Sequence, residues 1–203
     1  MKLVCIGRNY SEHAKELNNP VPQEPVFFIK PDTALLRNND AFYLPHFSSD
    51  VHYEMEIVLK INRHGKHIEE RFAHKYYDEI SAGIDFTARD VQQQCKEKGL
   101  PWEKAKAFDY SAPIGRFINK AAIGDLGKIS FHLEINGETR QKGNTADMLF
   151  SFDKIIAYIS QYVTLKKGDL IYTGTPAGVG AVKEGDRLKG FIENECIFDF
   201  NVK

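Results

Sequence analysis

The sequence predicts an α+β fold that is mainly β. Three observations carry this. Segments that read as strands outnumber those that read as helices, and the helices do not alternate regularly with strands, so a doubly wound parallel sheet is not indicated. Asn136-Gly137 lies between two strand-like runs and is a strong hairpin signal. Fourteen Phe and nine Tyr beside a single Trp suit a β-rich core. At 203 residues, 42% hydrophobic and 27% charged, the chain can build a substantial core within one large domain.

Leu3 to Ile6 reads as a short buried strand that turns at Gly7-Arg8. Asn9, with Glu12 three residues on, has the form of a capping box. It predicts a helix from Tyr10 to about Leu17 that stops at Asn18-Asn19-Pro20. His13 and Glu16 share a face of that helix at i and i+3, either as a solvated pair or as a working one. Pro20 to Pro25 is a loop, because each proline lacks an N–H and restricts its predecessor. With the preceding helix it could cover a site. Val26 to Ile29 is a buried-type strand closed by Lys30-Pro31. Ala34 to Leu36 and Phe42 to Leu44 read as further short strands, the latter near an edge because of Pro45.

Val51 to Lys60 reads as one strand. Residues at i and i+2 of a strand share a face, so Glu54 and Glu56 stand roughly 7 Å apart at the backbone. Two readings are open. The pair lines the wet face of an amphipathic strand, or it sits against apolar surroundings, where the carboxylates repel and a cation relieves them. Oxygen donors favour Mg²⁺, Mn²⁺ or Ca²⁺ over zinc.

Asn62 to Lys66 is a hairpin-type loop, with His64 and His67 read as solvent-exposed. Glu69 to Ile80 reads as a helix, and Ser81 to Phe86 as a strand ending at Asp85. Thr87 and Asp90 again have capping-box form, for a helix reaching Lys98 with Gly99 as its stop. Asp85 thus falls between a strand end and a helix start, a place for a turn residue or for a supported site carboxylate. Lys106 stands between Ala105 and Ala107, either snorkelling or directed at an anion. Ile129 to Ile135 alternates and returns through Asn136-Gly137, and Ser151 caps a helix with Ile155, Ile156, Ile159 and Val163 at helical spacing. Lys167 to Gly180 is a strand entering a glycine-containing loop that lacks both nucleotide-loop spacings. Its glycines read as allowing backbone N–H groups to approach an anion. Phe191-Ile192 and Cys196 to Val202 are strand-like.

A net charge of -1 and a pI of about 6.7 give no global basic field, so nucleic acid is excluded as a partner class. No run reaches the roughly 18 apolar residues of a membrane span, and the N-terminal apolar run is too short for a signal peptide. Cys5, Cys95 and Cys196 are scattered and odd in number, without C-x-x-C spacing. They indicate neither zinc nor a disulfide framework, but small buried side chains in a reducing compartment. A cytoplasmic protein is the expectation.

Taken in order, several motifs resemble the fumarylacetoacetate hydrolase superfamily, and its short acylpyruvase branch in particular. They are Gly7-Arg8-Asn9-Tyr10 with His13 and Glu16; Phe28-Ile29-Lys30-Pro31; Tyr53-Glu54-Met55-Glu56; Gly83 to Gln92; Gly99-Leu100-Pro101-Trp102 with Lys106; Gln141 to Thr145 with Met148 and Phe150; and Tyr172 to Gly180. Each is weak alone, but their order and spacing are specific and run nearly end to end. The resemblance implies a mixed β-sandwich roll, one catalytic domain over residues 1–203 with residues 8–24 as a lid, and a homodimer. It implies Mg²⁺ or Mn²⁺ (Ca²⁺ in a crystal) held by Glu54, Glu56 and Asp85, with open positions for a 2-oxo carboxylate.

The activity implied is hydrolysis of a C–C bond in acylpyruvate-type 2,4-dioxo acids, through an enolate that the metal stabilises. By the same resemblance, Lys106 adds positive charge at the developing oxyanion. Glu16 orients His13, which activates water as general base. Gln92, Thr175 and Arg8 contact the substrate, and Arg89 is an ion-pair partner. The same site would support decarboxylation or tautomerisation of oxaloacetate, or isomerisation of 2-hydroxyhepta-2,4-diene-1,7-dioate. Two readings belong to other classes: a non-catalytic metal-binding β-domain, and a sugar-binding β-domain that would need exposed aromatics, for which Trp102 is a weak basis. Three carboxylates under-fill an octahedral ion, which favours catalysis.

Overall fold

A computed structural model of the chain describes residues 1–16 and 20–203. The predicted end of the first helix, at Leu17 and Asn18-Asn19, lies outside the described residues. In chain order, β1 (Leu3–Gly7) leads to α1 (Ser11–Glu16), β2 (Val26–Lys30) and β3 (Leu35–Leu36). β4 (Val51–Tyr53) and β5 (Met55–Ile61) precede α2 (Glu70–Ala73), β6 (Tyr77–Ile84) and β7 (Thr87–Ala88). Next come α3 (Arg89–Glu97), α4 (Glu103–Lys106), β8 (Ala112–Pro113) and β9 (Ile118–Asn119). The hairpin of β10 (Ser130–Ile135) and β11 (Glu138–Asn144) leads to α5 (Phe152–Tyr162). β12 (Leu170–Tyr172), β13 (Gly180–Ala181), β14 (Arg187–Ile192) and β15 (Glu195–Asn201) follow.

The largest sheet has the order β2-β1-β12-β5-β6-β9 and is mixed. β1 pairs with β12 in parallel, and the other neighbours are antiparallel. A second, antiparallel sheet has the order β11-β10-β14-β15. The two share one core, in which Ile57, Leu59, Ile80 and Ala82 join Leu133, Leu188, Phe198 and Phe200. Smaller sheets are formed by β13-β4-β7 and by β3-β8. This is the α+β, mainly-β sandwich roll that the sequence predicts. β5 is buried on both faces, as its apolar run requires, whereas β10 alternates buried and part-exposed. Asn136 and Gly137 both have positive φ, 55° and 83°, which a type I′ hairpin turn demands. Ser151 caps α5 through Oγ, which accepts the Lys154 N–H at 3.2 Å. No helix among the described residues is long and apolar enough to cross a membrane.

Several expectations need correction. Cys196 is exposed on β15, unlike buried Cys5 and Cys95, and β2 is only partly buried over Val26 to Phe28 and exposed at Ile29. Val51 to Lys60 is two strands, not one, and the break falls at Glu54. β4 pairs with β7 and β13, while β5 pairs with β6 and β12, so the chain changes sheets there. The helix predicted over Glu69 to Ile80 is only α2; from Tyr77 the chain is β6, where pairing to β5 outweighs the polar local sequence. Phe42 to Leu44 forms a single bridge, Phe42 to Val202, rather than a strand. Neither capping box forms. Asn9 bonds instead to Phe150 and Thr173, and Thr87 Oγ1 donates to Glu54 and to the Asp85 carbonyl.

Candidate active site

Three segments cross from the large sheet to the small one at the same level. β5 passes to β4 through Glu54, β6 to β7 through Asp85-Phe86, and β12 to β13 through residues 173–179. Backbone pairing stops at this seam, which frees side chains to converge. The Asp85 N–H donates to the Glu54 carbonyl at 2.8 Å, holding the two crossings together. Glu54, Glu56 and Asp85 are all buried, and one carboxylate oxygen from each lies within 4.8 Å of the others.

Their partners are specific. Lys106 Nζ donates to Glu54 Oε2 at 2.8 Å and to Asp85 Oδ2 at 2.7 Å. It also lies 5.2 Å from the centre of the Phe28 ring. Buried Lys106 is therefore anion-directed, not snorkelling. Arg89 donates to Glu54 Oε1 at 2.7 Å and to Gln92 Oε1 at 2.8 Å. Lys30, wholly buried, stands 2.7 Å from Asp85 Oδ1 but directs its hydrogen bonds at Ser111 and the Phe86 carbonyl. Asp85 Oδ1 thus has a cation beside it and no hydrogen bond. Glu56 Oε2 accepts the Gly174 N–H at 2.6 Å, and among the described residues Glu56 has no ion-pair partner.

Burial alone would raise the pKa of Glu54, but Lys106 and Arg89 outweigh it and hold the carboxyl well below the usual range. Glu56 goes the other way. Burial, and then the Asp85 charge, push it well above that range despite the Gly174 N–H. A buried oxygen-only donor set, one carboxylate without a cation and one oxygen without a donor fit a hard divalent cation. Glu54, Glu56 and Asp85 are the residues able to hold it.

Every predicted site residue except Glu16 lines one cavity of about 40 Å³. His13 is buried on α1 and its Nδ1 lies 3.2 Å from Glu16 Oε2. Glu16 Oε1 accepts the Gly178 N–H at 3.1 Å, which ties α1 to the glycine-containing loop. Thr175 Oγ1 donates to the Met55 carbonyl at 2.7 Å and accepts from Gln141 Nε2 at 2.8 Å, so its hydroxyl proton is already committed. At roughly 10–15 Å³ per water, the cavity holds a few waters and not a four-carbon acid. Trp102 packs edge-on against Phe28, with ring centroids 6.3 Å apart, and is not a sugar platform.

Sequence reasoning gave no place in the site to Lys30, Lys96 or Gln141, and made Thr87 only a helix cap. Lys30 had a visible signal, a charge ending an apolar run before Pro31. So did Lys96, which continues the helical spacing of Arg89 and Gln92. Gln141, on the mostly exposed β11, had none beyond its place in the run Gln141 to Thr145 that carries part of the resemblance. A larger groove of about 680 Å³ lies elsewhere, beside Arg37, Lys60, Arg116 and Phe117. Lys60 and Arg116 there are paired with Glu79 and Glu195, and the residues lining the groove include no acid cluster or histidine, so the smaller cavity is the candidate site.

A family profile described as fumarylacetoacetate (FAA) hydrolase C-terminal matches residues 2–197. The chain is 43% identical to the mitochondrial oxaloacetate tautomerase FAHD1 of Rattus norvegicus over 201 residues, 99% of this chain and 91% of the relative. It is 43% identical to the mitochondrial oxaloacetate decarboxylase of Dictyostelium discoideum, over 93% of this chain and 87% of that one. The crystal structure of fumarylpyruvate hydrolase from Pseudomonas aeruginosa, in complex with Mn²⁺ and pyruvate, superposes with a TM-score of 0.93 at 35% identity, covering 100% of this chain and 89% of that one. A profile match over almost the whole length, full-length relatives and the shared fold agree: the chain belongs to the fumarylacetoacetate hydrolase family and is an enzyme of it.

Proposed function

We propose that this chain is a divalent-metal-dependent enzyme that forms an enolate from a small 2-oxo acid, with oxaloacetate as substrate and keto–enol tautomerisation as the reaction. The observation that carries the reading is the convergence of His13, Lys106 and the three carboxylates on one cavity. A cation held by Glu54, Glu56 and Asp85 supplies Lewis-acid polarisation of the 2-oxo carboxylate and charge stabilisation of the enolate; Mg²⁺ and Mn²⁺ suit the donors. Lys106 places an ammonium beside that charge. His13 takes a proton from carbon 3 and returns it to oxygen, with Glu16 holding the ring by its other nitrogen. Arg8, Gln92 and Thr175 bind the substrate. Residues 8–24 act as the lid of a catalytic domain spanning residues 1–203, and the small cavity supports this, since α1 must move for substrate to enter.

Hydrolysis of an acylpyruvate is a second reading, favoured by the same dyad. A base that removes a proton from carbon can remove one from water. Hydroxide then adds to the distal carbonyl, the C–C bond breaks, and the electron pair leaves as the pyruvate enolate, which is reprotonated. Decarboxylation of oxaloacetate would break the bond from carbon 3 to the distal carboxylate, release CO₂ and leave the electron pair in the pyruvate enolate, which takes its proton from solvent and needs no base. The reading includes a homodimer, checked by light scattering, and a cytoplasmic location, supported by three free cysteines.

The test is parallel turnover of enol-oxaloacetate and acetylpyruvate with Mg²⁺, with Mn²⁺ and with EDTA. Metal-dependent tautomerisation supports the first reading, and metal-dependent loss of acetylpyruvate alone moves the reaction to hydrolysis. Activity on neither, in any metal, rejects both.

A further inference from the structure

Lys96 follows Arg89 by seven residues and Gln92 by four on α3, so the three share one helix face. It is half-buried and lines the same cavity as His13, Arg8 and the carboxylates. Lys30, Arg89 and Lys106 are each paired with Glu54 or Asp85, whereas among the described residues Lys96 and Arg8 have no anionic partner. Burial, and then the charges of Arg89 and Arg8, hold the Lys96 ammonium below the usual lysine range. Arg8 has a φ of 59°, a left-handed conformation that is strained for a non-glycine residue. It is fixed there by its neighbour Asn9, which is buried and bonded to Phe150 and Thr173. Two unpaired cations are therefore kept at the cavity against their mutual repulsion, and an anion relieves it.

A 2-oxo acid presents one carboxylate and one keto oxygen to the metal-ligand end of the site. A neutral tail has no use for two further cations, but a second carboxylate does. We propose that Lys96, together with Arg8, binds the distal carboxylate and selects 2-oxo dicarboxylates over 2-oxo acids with a neutral tail. This rests on the proposed function, because it takes the carboxylate triad as the place where the first carboxylate docks. Lys96 is a specificity-determining residue here and takes no part in proton transfer.

The test uses two unreactive acids that share a 2-hydroxy-carboxylate and differ in the tail: L-malate and (S)-2-hydroxybutyrate. Each is titrated calorimetrically into Mn²⁺-loaded protein. Wild type should prefer malate, and Lys96→Met should cut the ratio of the two affinities by about 10- to 100-fold, the worth of one charge-assisted hydrogen bond. Lys96→Arg should keep most of the preference. A wild type that binds both acids equally, or a ratio unaltered in Lys96→Met, overturns the inference and leaves the proposed function standing. A wild type that binds neither acid overturns both.

Discussion

Replacing Glu16 by Gln separates two jobs that one carboxylate performs. Oε2 faces His13 Nδ1 at 3.2 Å, and Oε1 accepts the Gly178 N–H at 3.1 Å. A carboxylate only accepts, so it holds the His13 proton on Nδ1 and leaves Nε2 with a lone pair. Glutamine keeps an oxygen for Gly178 but turns an NH₂ toward Nδ1, which must then accept, and the ring proton moves to Nε2. α1 stays tied while the base is lost. The equivalent change in a serine-protease triad lowers kcat about 10⁴-fold. The Glu16 side chain is 34% exposed, so water competes for Nδ1 and the productive tautomer persists in part. We expect a fall in kcat of about 10²-fold for Glu16→Gln, in the range of general acid–base catalysis, with KM within about twofold of wild type. Glu16→Ala removes the Gly178 contact as well and should also raise KM. Steady-state turnover of enol-oxaloacetate and acetylpyruvate with saturating Mn²⁺ reads both constants. A Glu16→Gln enzyme within about threefold of wild-type kcat would refute the role of the pair in proton transfer.

Lys106→Met should lower turnover by about 10²–10³-fold, the scale for losing one preorganised oxyanion donor. In EDTA it should also destabilise the fold by about 3–5 kcal/mol, because Glu54 and Asp85 lose a buried partner, and Mn²⁺ should restore more of its Tm than it adds to wild type. An equal metal-induced shift in both proteins would count against the carboxylates as ligands. Gly178→Ala should cost about 1–3 kcal/mol in urea unfolding, because φ there is +97° and a Cβ would meet the Arg140 carbonyl at 3.2 Å; KM should rise as the contact to Glu16 weakens. Asp90 is held below the usual carboxylate range: burial opposes this, but hydrogen bonds from Ser48, Ser49 and Val91 outweigh it. A depressed folded-state pKa gives stability that is present above the unfolded value of about 3.9 and is lost as pH falls through the folded one. Wild type should therefore exceed Asp90→Asn in stability at pH 7, and the gap should close in acid. A gap that widens on acidification would show the sign to be wrong.

The parts of the fold legible in the sequence are those in which a few neighbouring residues decide the conformation. Asn136-Gly137 makes its turn because both φ values must be positive, and Ser151 caps α5 with its own hydroxyl. The misreadings share a cause. Asn9 and Thr87 have the side chains of helix caps, but distant groups recruit them: the Phe150 and Thr173 backbone for Asn9, Glu54 for Thr87. Local pattern also made Val51 to Lys60 continuous, because nothing in those residues announces that the pairing partners change at Glu54. The carboxylates were legible as residue types at a spacing, and the resemblance joined them to Asp85. That they meet at a sheet seam was not legible, since it depends on the joint path of three separated segments.

The seam has a consequence for how the proposed chemistry divides. Glu54, Asp85 and Gly174 stand where strands of two sheets cross, so their positions are set by long-range ladders and a shared core. His13 is carried by a helix of six residues, too short to persist without support. That support includes the Glu16 contact to Gly178 and the buried face of His13 and Ala14. On the proposed mechanism the half of the site that would stabilise an enolate is anchored by long-range ladders, and the half that would move a proton rides on a short helix. Changes in the loop at Pro20 to Pro25 can therefore shift the position of His13 without disturbing the carboxylates. Decarboxylation would then require only the ladder-anchored half, whereas tautomerisation and hydrolysis would require both. One scaffold can then serve relatives with all three activities, and variation in α1 and its flanking loop is the economical route between them.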